Sequence, residues 1–98
     1  MNHLGEVEIK LGDKIYNIKF TNKALFKVQH ELKIKGLAEL FNRIEQLDLL
    51  AIFTLLRHGL NVEKSVDQLM DYDLSLQDIA VKLAEALTAA LGTPDQDK

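Results

Sequence analysis

The first twenty residues alternate between apolar and polar side chains with a period of two. Val7, Ile9 and Leu11 are interleaved with Glu6, Glu8 and Lys10, and Tyr16, Ile18 and Phe20 with Asn17 and Lys19. Between the two runs stands Gly12-Asp13, whose leading glycine supplies the positive φ that a tight two-residue hairpin needs. Closing the hairpin on that pair predicts a register. Leu11 faces Lys14, Ile9 faces Tyr16 and Val7 faces Ile18, which gathers one apolar face. On the other face Glu6 lies opposite Lys19, and only Ile15 is out of place.

From Asn22 the period lengthens to that of a helix. Thr21 or Asn22 caps a segment with Ala24, Leu25, Val28 and Leu32 on one side, and Gly36 is expected to supply its left-handed end. A short helical piece carrying Leu37, Leu40 and Phe41 follows. From about Gln46 to His58 the chain is apolar around most of its circumference, which predicts the central helix of the fold, ended by Gly59. Asn61 is then expected to cap a helix with Val62, Val66, Leu69 and Met70 inward. The last helix has the clearest rhythm. Ser75 with Asp78 resembles a capping box, and Leu76, Ile79, Ala80, Leu83, Leu87, Ala90 and Leu91 form one stripe before Gly92-Thr93-Pro94 stops it.

These elements predict an α+β, mostly α fold, an N-terminal hairpin packed on a bundle of four to five helices. The hairpin covers 5–20, the helices 22–91, and a single domain 1–92, with 93–98 as a flexible tail. The composition agrees. Leu, Ile, Val and Phe supply 34 of 98 residues, enough for one modest core. The opening MNHLGEVEIK has no apolar signal-peptide core and no apolar run reaches a membrane span, so a cytosolic protein is expected.

Charge and chemistry mostly exclude. A net charge of −3 argues against a domain built to grip nucleic acid. The charge is unevenly spread: residues 1–36 hold seven lysines against four acidic residues, and residues 37–98 five basic against eleven acidic. Two differently solvated faces explain this, and so do complementary ends that steer copies head to tail. The absence of cysteine removes disulfides, thiolate metal sites and cysteine nucleophiles. His3, His30 and His58 share no metal-ligand spacing. Asp71, Asp73 and Ser75 imitate a calcium loop, but Leu76 stands where Gly is needed and Lys82 where a bidentate Glu belongs. Ser75 is preceded by Leu74, not the Asp that precedes the modified serine of acyl carrier proteins. No Gly-rich phosphate cradle or nucleophile elbow exists. A helix-turn-helix drawn through 46–70 would present Glu63, Asp67 and Asp71 to phosphate. The expectation is a protein that is not an enzyme and takes no cofactor or metal.

Surface for protein partners remains. A two-stranded hairpin must lie on helices and leaves strand edges open to another strand. The near-continuous apolar character of residues 47–60 suggests an interface helix, although a well-covered core would use the same residues.

From about Gly5 to Leu91 the chain resembles the small tail assembly chaperones of long-tailed bacteriophages, prophages and gene-transfer agents. The likeness lies in Gly5-Glu6-Val7, in Leu11-Gly12-Asp13-Lys14-Ile15-Tyr16 running into Phe20-Thr21, and in Ala24-Leu25. It continues through Gly36-Leu37 with Leu40, His58-Gly59-Leu60, and Leu83-Ala84-Glu85-Ala86-Leu87. The resemblance implies a non-enzymatic protein that binds the helical, aggregation-prone tape measure protein before the tail tube polymerises around it, keeps it soluble, and then departs. It implies action in the bacterial host cytoplasm, absence from the mature virion, self-association, and the tail tube protein as a second candidate partner. Many members of the family are made in a short form and a frameshift-extended long form, and this chain would be the short form or a unit lacking an extension. No nucleic acid or membrane partner is implied. The candidate contact residues are Tyr16, Ile18, Phe20, Phe41, Phe53 and Leu60, most of which core packing would use equally. Two rival readings stand beside this one: another tail-completion or connector protein, and a small helical regulator that binds DNA or a host protein.

Overall fold

The computed structural model describes residues 6–60 and 62–92. Among them the chain forms an antiparallel hairpin, β1 (Glu6–Leu11) and β2 (Lys14–Lys19), followed by five helices. These are α1 (Asn22–Leu32), α2 (Ala38–Glu45), α3 (Leu49–Leu60), α4 (Val66–Met70) and α5 (Leu76–Leu91). The architecture is the α+β, mostly α fold that the periodicity predicts.

The hairpin register runs Glu6–Lys19, Val7–Ile18, Ile9–Tyr16 and Leu11–Lys14, as the apolar alternation requires. Gly12 takes φ +63°, and a side chain there would also press on the Tyr72 ring at 3.3 Å. Ile9, Leu11 and Ile18 face the core, where β2 lies on α3 and α5 crosses both strands. Ile15, the residue out of pattern, points away and is exposed.

α3 is the centre of the molecule. It touches β2, α1, α2, α4 and α5, and every residue from Ala51 to Leu56 is buried. That surrounding explains a helix apolar on nearly all sides. Its limits differ from the expectation. α2 ends in a Schellman turn: Leu47 takes the left-handed conformation (φ 56°), its N–H donates to Ile44, and the N–H of Asp48 donates to Arg43. Asp48 then caps α3, its Oδ1 accepting from the backbone N–H of Leu50 at 3.1 Å and of Ala51 at 3.4 Å. One aspartate thus closes one helix and opens the next, so α3 begins at Leu49 and not near Gln46.

Three further expectations are corrected. Gly36 does not end α1; the left-handed residue is Lys33 (φ 56°), whose turn lets the N–H of Ile34 reach Gln29 and tucks Ile34 into the core. Gly59 does not end α3 but lies inside it, because a Cβ there would stand 2.8 Å from Ile18 Cγ2 and 3.0 Å from the Phe20 ring. The next helix begins at Val66, capped by Ser65 in a full box with Gln68; Leu69 faces inward, whereas Met70 is exposed. The expected Asn61 cap lies outside the described residues. So do Gly5 at the start of the hairpin, His3, and the tail at 93–98.

α1 and α5 start where expected. The N–H of Ala24 donates to Thr21 Oγ1 at 3.0 Å and that of Asp78 to Ser75 Oγ at 3.3 Å. α5 buries Ile79, Ala80, Leu83, Ala86 and Leu87 and ends at Gly92 (φ +76°). Among the described residues no helix is long and apolar enough to cross a membrane.

Candidate protein-binding groove

The core leaves several large apolar side chains uncovered, and some of them meet. α2 and α5 lie side by side but do not close, and between them runs an open groove of about 570 Å³. Its apolar walls are Phe41, Ile44 and Leu47 on one side and Ala80, Val81 and Ala84 on the other. Ile44 and Ala80 belong to the core and form the floor; Leu47 is 38% exposed and Val81 50%. Glu45 and Gln77 are the polar lining residues. Leu49 and Leu50, just past Leu47 in the first turn of α3, are also exposed, so greasy surface continues around the corner.

The corner carrying Leu47 is held firmly. Arg43 bonds Glu39 at 3.1 Å one turn back and meets Asp48 at 3.5 Å, bracing the Schellman turn from outside. A non-glycine residue in the left-handed region costs roughly 1 kcal/mol. Glycine would avoid that cost at position 47. A leucine held there, exposed, projects its side chain along the groove at a backbone cost that core packing does not explain.

A second polar cluster sits elsewhere. Glu31 of α1 accepts from Arg57 at 2.9 Å and lies 3.1 Å from His58 Nε2, both on α3. Burial works to raise the Glu31 carboxyl, but the hydrogen bonds and positive charge of Arg57 and His58 outweigh it and hold the group below the ordinary glutamate range. The cluster ties α1 to α3.

The sequence-predicted contact residues divide. Ile18 and Phe20 pack together on Gly59, and with Phe53 and Leu60 they are buried in the core. Tyr16 is half-buried beside the hairpin's core face. Phe41, half-buried, is the member of the six that lines the groove. Leu47 and Val81 were missed. Val81 had a signal: it is apolar yet lies off the stripe of Leu76, Ile79, Ala80, Leu83 and Leu87. Leu47 fell within the apolar stretch 47–60 that suggested an interface helix, but nothing singled it out, because its whole neighbourhood is apolar and its turn is invisible to periodicity.

Chemically the groove offers an apolar trough with an acidic group at its wall and no nucleophile or imidazole, which suits the greasy face of a helix. Compared with protein-family models, curated proteins and solved structures, the chain matches none.

Proposed function

We propose that this chain is a tail assembly chaperone of a long-tailed bacteriophage or a related element, binding the tape measure protein and keeping it soluble during tail morphogenesis. The observation that carries the reading is the open apolar groove between α2 and α5, with Leu47 displayed at its rim. The resemblance in residue order across Gly5 to Leu91 supports it independently.

The mechanism is burial without reaction. The apolar stripe of an amphipathic client helix lies between Phe41, Leu47 and Val81, exchanging two wet greasy surfaces for one dry contact. Each contact is small and therefore weak. Several copies spaced along a long helical client gain affinity through avidity, and a weak unit contact lets them leave when the tail tube takes over. The protein acts in the host cytoplasm, engages the tape measure protein, with the tail tube protein as a second partner at hand-over, and is absent from the finished virion.

Co-expression tests this. Alone, the tape measure protein is expected in the insoluble fraction; with this chain it is expected to become soluble and to co-purify. If solubility does not rise and no complex is recovered, the proposal fails. Proteomics of purified particles separates it from a connector or completion protein, which would remain in the virion.

A further inference from the structure

The surface carries a second apolar feature, on another element and of opposite charge. On α1 the Phe26 side chain is 71% exposed, its ring stacked on His30 with centroids 6.5 Å apart. α1 already buries Leu25, Val28 and Leu32, so core packing does not require a phenylalanine at 26. Lys23 and Lys27 stand within a turn of it, exposed and in no ion pair among the described residues. Glu31, the acidic residue of α1, is held by Arg57 and His58 and cannot neutralise them. Phe26 is therefore an apolar knob in a positive collar.

The groove has the converse character. Glu45 lines it and Glu85 lies one helical turn beyond Val81 on α5; neither is ion-paired among the described residues. Within one molecule α1 packs on α3 while the groove lies between α2 and α5, and Phe26 is not among its walls. A copy does not fill its own groove.

We infer that a second copy of this chain occupies the groove, seating Phe26 among Phe41, Leu47 and Val81 with Lys23 and Lys27 facing Glu45 and Glu85. Charge complementarity selects this occupant: residues 1–36, which carry the knob, are net basic and residues 37–98, which carry the socket, net acidic, so knob and socket of successive copies attract. The contact joins two different surfaces and repeats head to tail, closing a ring or continuing as a filament according to the rotation per copy. It deepens the chaperone reading, on which it rests for its biological use, by naming what holds the groove before a client arrives. A client helix then competes with a neighbouring copy for the same trough.

The test uses the full chain alone, by sedimentation and light scattering across concentration and salt. Wild type is expected to self-associate with a Kd on the order of 10 µM or weaker, as a small interface allows. Association should weaken several-fold between about 0.1 M and about 1 M sodium chloride, as the Debye length falls from about 10 Å to about 3 Å. Phe26→Asp and Val81→Asp, both at exposed positions and checked for folding by circular dichroism, should each be monomeric. Mixed, they should form a 1:1 heterodimer, since one keeps its socket and the other its knob. The charge-reversed pairs K23E/K27E and E45K/E85K should likewise fail alone and associate when mixed. A wild-type monomer throughout, undiminished association of F26D, or mixed variants that stay monomeric while wild type assembles would each overturn the inference. No client is present, so such a result leaves the chaperone proposal standing. Loss of tape measure binding with assembly intact would do the reverse.

Discussion

Gly59 is the residue at which sequence logic and packing part most sharply. A glycine after an apolar run reads as a helix end in the left-handed conformation, whereas inside a helix its replacement by alanine is ordinarily stabilising. In the folded chain it is the flat spot on α3 against which Ile18 and Phe20 close, with a Cβ meeting Ile18 at 2.8 Å. Gly59→Ala should therefore destabilise by about 1–2 kcal/mol, the overpacking cost exceeding the roughly 1 kcal/mol that alanine gains in helix propensity. A lowered urea midpoint is the expected reading, and a raised one would remove the close approach. Glu31 is the second telling residue. Its carboxyl is held below the ordinary range, so its contribution is present at neutral pH and is lost as pH falls through its folded-state value. The partners are part-exposed, which keeps the effect within about 1 kcal/mol. Thermal melts between pH 7 and pH 3 should show a smaller acid-side loss in Glu31→Gln than in wild type.

At the scale of elements, legibility followed the strength of the local signal. The hairpin register was readable to the residue because a one-residue slip would turn Ile9, Leu11 and Ile18 outward. The α5 stripe and its Ser75 cap were readable for the same reason, a long segment with one clear period. The α2–α3 corner was not. Leu47, Leu49 and Leu50 continue the apolar run, so periodicity sees one helix where backbone hydrogen bonds make two. The left-handed residues that follow α1 and α2 are Lys33 and Leu47 rather than glycines, and nothing in side-chain type announces them. The groove was legible only through Phe41, since aromatic size does not reveal which side of a helix the core will cover. Leu47→Gly separates the two roles of that corner. It should relieve the left-handed backbone and raise stability by up to about 1 kcal/mol, while weakening any partner that uses the groove rim. Equal or lower stability in denaturant titration would mean that the leucine side chain supports the fold itself.

For the whole molecule, the central point is a core that is complete and a surface that is not. A chain of 98 residues packs Leu, Ile and Phe from every element around α3, yet leaves Phe26, Leu50 and Val81 at least half exposed. Scattered apolar side chains are ordinary on protein surfaces, but here some are assembled into a trough and another, Phe26, has two exposed lysines within a helical turn. The charges beside the two apolar features differ in sign, Lys23 and Lys27 next to Phe26 and Glu45 at the groove. The most direct test is an NMR titration of the isotope-labelled chain with a purified amphipathic helical segment of the tape measure protein. The groove account predicts saturable shifts concentrated at Phe41, Leu47, Ala80, Val81 and Ala84, abolished in Val81→Asp. A spectrum that does not respond, or shifts that map away from α2 and α5, would contradict it.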